Sequence, residues 1–161
     1  MVFLTKHILS LVLLYFISLL PKNITKFFAR KYIAGTTTKE AIQCVQSLNR
    51  NGFSVTLDIL GEYTKSKNKA MEITSSYENL YELINNQHLD CNISIKPTHI
   101  GLLINYNFCF ENFLRLAKAA KKTNNFLRID MESSEYTNLT IQLLSDLKEH
   151  YPKHVGTVMQ S

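Results

Sequence analysis

From Gly35 onward the chain alternates between two hydrophobic periods. In "TTTKEAIQCVQSLNRNG" threonines offer helix caps, Ala41, Ile42, Val45 and Leu48 recur at helical spacing, and Gly52 provides a stop. The run "FSVTLDIL" then reads as a strand. Ala70, Ile73, Tyr77, Leu80, Tyr81 and Ile84 mark the next helix, and "NISIK" the next strand. Phe110, Phe113, Leu114 and Ala117 form a third stripe before the strand "FLRID", and Tyr136, Leu139, Leu143 and Leu147 a fourth before "VGTVMQ". The predicted order is one helix, then four strands separated by three helices. Strands that recur every roughly 30 to 40 residues with a helix between them are successive βαβ units, which build a parallel sheet with right-handed crossovers. An open doubly wound sheet and a (β/α) barrel both satisfy that order. No G-x-G-x-x-G follows any strand, and its absence favours the barrel.

The N-terminus follows a different rule. "ILSLVLLYFISLL", from Ile8 to Leu20, is uninterruptedly apolar but shorter than the roughly 20 residues that span a bilayer. Lys6 precedes it as in a signal peptide, yet the following "PKNITKFFARKY" offers no small-residue cleavage site. A buried or membrane-surface helix is expected there, broken at Pro21, then a short basic helix through Phe27, Phe28 and Ala29. The expected organisation is an N-terminal helical segment over 1–34 and a (β/α) domain over 35–161.

Composition narrows this picture only a little. A chain of 161 residues, 45% hydrophobic and 19% charged, can bury one substantial core and is not expected to be disordered. Its net charge of +5 raises nucleic acid or an anionic surface as partners. The lysines are scattered, however. Lys65, Lys67 and Lys69 alternate in a loop, while Lys118, Lys121 and Lys122 sit at a helix end where they complement the dipole. No nucleic-acid partner is expected. Cys44, Cys91 and Cys109 lie within apolar patterns without metal-ligand spacing, so they read as small buried hydrophobes in a reducing compartment. The N-x-S/T matches at Asn23, Asn92 and Asn138 then carry no weight.

In a barrel, chemistry collects at the C-terminal ends of the strands. Those ends carry Asp58 with Glu62, then Lys96, then Arg128, Asp130 and Glu132, then Gln160. The two-residue period places Ser94 and Lys96 on one face of their strand, and Arg128 and Asp130 on one face of theirs. Lys96 is therefore expected to point into the pocket that the isoleucines of "NISIKPTHIG" wall off. A charge at a strand end is often just where a chain returns to solvent. An arginine and an aspartate two apart inside an apolar strand must instead be paired or functional, since an unpaired buried charge is too costly.

The strings "YIAGTTTKEAI", "GFSVTLDILGE", "NISIKPTHIG", "FLRIDMESSEYT" and "VGTVMQS" resemble, in order and spacing, those of bacterial proline dehydrogenases, from about Pro21 to the last residue. The resemblance implies a flavoenzyme on a distorted (β/α)8 barrel, of which this chain would be the N-terminal half. It implies that Lys96 binds the substrate carboxylate, that Asp130 lies in the active site with Arg128 as its charge partner, and that Met131 and Gln160 contact FAD. The implied reaction moves a hydride from C5 of L-proline to the flavin, giving 1-pyrroline-5-carboxylate, with electrons passed to a membrane quinone. His99 stands where many relatives carry glutamine or a small residue, and reads as a loop histidine without proton-transfer duty.

A complete barrel needs roughly 250 residues, and this sequence ends directly after its fourth strand. The family's later motifs, the strand ends that hold FAD and the closing helix whose paired arginines clamp the proline carboxylate, are not in it. Three expectations stay open: the N-terminal part of a proline dehydrogenase, an inactive remnant, or a non-catalytic half-barrel that pairs with itself or with a chain carrying strands five to eight. The 161 residues alone are expected to be inactive. The implied location is the cytoplasm, with peripheral contact at the inner membrane.

Overall fold

The computed structural model describes residues 33–159; the helices expected before residue 33, and Gln160, lie outside the described residues. Contacts divide the chain after Cys44 into two units, the second running from Val45 to the end. The first described helix, α1 (Thr38–Arg50), spans that division. It opens with a capping box: Thr37 Oγ1 accepts from the Glu40 amide at 3.2 Å, and the Glu40 carboxylate accepts from the Thr36 amide at 2.7 Å and from the Thr37 amide at 3.3 Å. Gly52, at φ +81°, follows its C-terminal end as the stop signal required.

In the second unit, four strands form one parallel sheet in the order β1 (Val55–Leu57), β2 (Cys91–Ile95), β3 (Leu127–Ile129), β4 (Val155–Thr157). The helices α2 (Lys67–Asn86), α3 (Tyr106–Lys122) and α4 (Thr137–His150) make the crossovers. Each strand pairs with its successor, so the strand order never reverses. α2 packs on α3 and α3 on α4. Sequential parallel order is the winding of a (β/α) barrel, here through four of its units, as distinct from the reversal of a doubly wound sheet.

Register separates the two faces of the sheet. Ile93 lies level with Leu127, which in turn lies level with Val155. These residues, with Leu57, Ile95 and Ile129, are buried in the helix-facing layer together with Tyr77, Tyr81, Phe113, Leu116, Leu143 and Leu147. Burying each large side chain in such a layer contributes about 1.5–3 kcal/mol. The opposite face is polar: Asn92, Ser94 and Lys96 on β2 and just beyond it, and Arg128 and Asp130 on β3 and just beyond it, with Ser94 level with Arg128. Parallel strands covered on both faces read as continuous apolar runs. These alternate, as strands lining a polar interior must.

Three elements depart from their expected extents. The first strand stops at Leu57, because the Ile59 amide turns from the ladder to the Tyr77 hydroxyl at 3.0 Å, and Leu60 is left 70% exposed. On α3 the buried face runs through Cys109, Asn112, Phe113, Leu116 and Ala120, leaving Phe110 and Leu114 half-buried. Asn112 belongs inside because its side-chain amide donates to the Ile100 carbonyl at 2.9 Å. On α4, Leu139 is exposed and Thr140 buried, its hydroxyl donating to the Tyr136 carbonyl at 2.9 Å. The cysteines behave as expected for Cys91 and Cys109, which are buried and free, while Cys44 is free and half-buried.

Candidate active site

The C-terminal ends of β1, β2 and β3 bring three charges together. Lys96 follows β2 directly, and its Nζ lies 2.8 Å from Asp58 Oδ2 beyond β1 and 3.9 Å from Asp130 Oδ2 beyond β3. Each carboxylate has a second tether. Asp58 Oδ1 accepts from the Tyr77 hydroxyl of α2 at 2.8 Å, and Asp130 Oδ1 accepts from the Ser94 hydroxyl. The Asp130 amide also donates to the Ile95 carbonyl at 3.0 Å, which extends the β2–β3 pairing by one rung. All three charged side chains are between one-fifth and one-third exposed, so their heads meet at an accessible surface above a dry layer. Partial burial works against the Lys96 ammonium, but the hydrogen bond and charge of Asp58, then the charges of Asp130 and Glu132, outweigh it and hold its pKa above the ordinary lysine value. Burial first, then Asp58, raise the Tyr77 phenol far above its usual range, so it serves as a fixed donor.

A second cluster surrounds the first. Lys96 leads into a 3-10 turn, Pro97–His99, whose Thr98 is fully buried. The Thr98 amide donates to Glu132 Oε2 at 2.9 Å and its hydroxyl donates to Glu132 Oε1. Burial raises the Glu132 pKa, as does the charge of Glu62, against the opposing Thr98 bonds and Lys96. His99 is buried with its ring edge-on to Tyr77, the centroids 6.3 Å apart, and its Nδ1 has no hydrogen-bond partner among the described residues. Burial first lowers its pKa, with Asp58 opposing and Lys96 and Lys69 assisting, so the ring is neutral near pH 7. Gly61 faces that ring with no room for a side chain: a Cβ built there would run into His99 Nε2.

The structure thus unites Asp58, Lys96 and Asp130, with Glu132 beside them on Thr98. Glu62 is exposed on the loop beyond β1, and Met131 is half-buried next to Asp130. The expected Arg128–Asp130 pair does not form. The carboxylate turns to Ser94 and Lys96 on the neighbouring strand, because cross-strand neighbours in a pleated sheet lie closer than residues two apart along one strand. Arg128 is half-buried on the polar face, level with Ser94 and Gly156. It forms no hydrogen bond or ion pair among the described residues. A guanidinium presents five donors and no acceptor, so this one suits a flat ligand rich in acceptor oxygens and nitrogens. Tyr77 and Thr98 were not anticipated at the site. Tyr77 looked like one more member of a helical stripe, although a phenol at full burial requires a partner for its hydroxyl. No group of three or more His, Cys, Asp or Glu suited to a metal occurs among the described residues. None of their helices is long and apolar enough to cross a membrane.

Comparison with known proteins bears on the family and on the fold. The chain is 33% identical over 133 residues to proline dehydrogenase 2 of Bacillus subtilis strain 168, covering 83% of this chain and 44% of that protein. It is 31% identical over 137 residues to the proline dehydrogenase of Deinococcus radiodurans, again 83% of this chain and 44% of that one. It therefore spans a little under half the length of these relatives. Among solved structures, proline utilization A from Bdellovibrio bacteriovorus superposes with a TM-score of 0.73 at 20% identity, over 80% of this chain and 16% of that one, which supports the barrel winding. The family described as proline dehydrogenase matches residues 41–161, and the chain belongs to that family.

Proposed function

We propose that this chain supplies the N-terminal half of a proline dehydrogenase active site, with Lys96 as a ligand for the carboxylate of L-proline. The observation that carries the reading is the Lys96 ammonium held at the strand ends between Asp58 and Asp130. A lysine fixed in this way meets a carboxylate with charge-assisted hydrogen bonds and pays little to be ordered. Asp58 and Asp130 act on Lys96 as positioning groups, and Tyr77 and Ser94 hold those two carboxylates.

Arg128 has the donor set that a flavin's acceptor edge calls for, so the residues present fit FAD, and Met131 and Gln160 would share in holding it. FAD, when bound, supplies the acceptor for the hydride that leaves C5 of proline, with a quinone as the onward acceptor. The chain's own residues orient the substrate: Lys96 fixes the carboxylate end, and the buried layer beneath excludes water from that side. Asp58, Asp130 and Glu132 together carry more negative charge than Lys96 offsets. A substrate carboxylate therefore needs further cations, which on this reading come from the half of the barrel beyond this chain. The 161 residues alone give no turnover, and a complementing C-terminal half restores it.

The test is Lys96→Ala in this chain complemented with the C-terminal half of a curated relative. Proline affinity should fall by roughly 1.5–3 kcal/mol, the worth of a hydrogen bond to a charged group, while the flavin absorbance stays. Unchanged proline affinity would remove Lys96 from the site.

A further inference from the structure

The geometry points to Thr98 and Glu132 as positioning residues that clamp together the two loops flanking Lys96. Asp58 and Asp130, the carboxylates on either side of the ammonium, each begin a loop: residues 58–66 before α2 and 130–136 before α4. Tyr77 and Ser94 hold the two carboxylates at the start of each loop, but not the loops that follow. Thr98 holds those from between the two. Glu132, two residues past Asp130, accepts from both the amide and the hydroxyl of Thr98. On the other side Thr98 Oγ1 accepts from the Tyr63 amide at 3.2 Å and the Thr98 carbonyl accepts from the Thr64 amide at 3.0 Å.

The hydroxyl therefore stands in series, receiving one proton donor from the first loop and giving its own proton to the second. Thr98 is fully buried and has a single side-chain oxygen for both duties. The first loop needs such a hold, because Tyr63 adopts φ +54°, a left-handed conformation that a tyrosine does not favour on its own. Tyr63 also meets Tyr136 at the end of the second loop, ring centroids 6.4 Å apart. The two loops then move as one body, and Asp58 and Asp130 keep their places beside Lys96. Apart from Lys96 itself, whose ammonium meets Asp58 and Asp130, no other side chain among the described residues bonds to both loops.

The importance of the clamp for substrate rests on the Lys96 reading above, but its test contains no proline, so either can fail without the other. Amide hydrogen exchange is followed residue by residue in the 161-residue chain and in the variants Thr98→Val, Glu132→Gln and Thr98→Ser. Thr98→Val and Glu132→Gln should each speed exchange at Tyr63 and Thr64 by about tenfold, as for loss of one hydrogen bond, and leave Ile93 and Ile129 unchanged. The double variant of Thr98→Val with Glu132→Gln should be no faster than Thr98→Val alone, since the hydroxyl through which both act is already gone. Thr98→Ser, which keeps the hydroxyl, should match the unmodified chain. Wild-type exchange at Tyr63 and Thr64 in Thr98→Val, no rescue by Thr98→Ser, or equal acceleration at every amide would each overturn the proposal.

Discussion

Lys96 Nζ lies 2.8 Å from Asp58 Oδ2, joining the strand end of β2 to that of β1 across the open face of the sheet. The pair is tied on its far side to α2, because the same carboxylate accepts from Tyr77. One salt bridge thus links a strand end to the helical layer beneath it. Since Asp58 and its companions hold the Lys96 pKa above the ordinary value, the ion pair contributes stability below the unfolded lysine pKa of about 10.4. That contribution is lost as pH rises through the higher folded value. Asp58→Asn should flatten the alkaline fall in thermal midpoint. Tyr77, also raised and also bonded to Asp58, works in the same direction. An unchanged alkaline profile in Asp58→Asn would refute the linkage.

Glu132 predicts a different pH window. Burial raises its folded pKa, so the folded state binds this proton more tightly than the unfolded chain does. Its contribution is complete below the unfolded glutamate pKa of about 4.3 and declines as pH rises through the folded value. Urea midpoints measured upward from about pH 4 should lose part of their slope in Glu132→Gln. A slope that survives the substitution assigns the effect to other carboxylates.

Gly61 and His99 make a steric pair. Gly61→Ala drives a Cβ against the buried imidazole and should cost about 1–3 kcal/mol, the usual range for overpacking. Adding His99→Ala should recover most of that increment, because the obstruction has gone. Chemical denaturation of the two single variants and the double variant measures the coupling. Additive losses would show that the contact relaxes without strain.

Asp130 and Arg128 should behave as independent residues. Asp130→Ala removes the acceptor of Ser94 and a neighbour of Lys96, at a cost of about 1–3 kcal/mol. Asp130→Asn keeps an acceptor for Ser94 and should lose less. Arg128→Ala should add its own small effect within about 0.5 kcal/mol of additivity. A large coupling energy between the two would restore the direct pair.

The strand order and the identity of the strand-end charges were legible because period two and helical spacing are local signals. Ile93, Ile95, Leu127 and Ile129 are buried beneath the helices, and Asp58, Lys96 and Asp130 stand beyond the strand ends. Partner choice was not legible. Arg128 and Asp130 lie on one face of one strand, but whether they touch depends on the register of β2 against β3, which brings Ser94 and Lys96 nearer to Asp130. Tyr77 was correctly assigned to a buried face, yet nothing along the chain connects its hydroxyl to Asp58, 19 residues away. Thr98 was hidden for the same reason: its partners Tyr63 and Glu132 are 35 and 34 residues distant. Roles set by crossovers become visible only when the sheet closes its register.

The central claim is that this chain holds one half of a proline dehydrogenase site and requires the other. Its most direct test is an absorbance scan of the flavin bands together with a proline-dependent dye-reduction assay. Both are run with added FAD on the purified chain and on the chain mixed with the C-terminal half of the Bacillus subtilis relative. The account predicts a colourless, inactive chain alone and a yellow, proline-oxidising complex. Dye reduction by the chain alone, or a complex that binds flavin but leaves proline unoxidised, would contradict it.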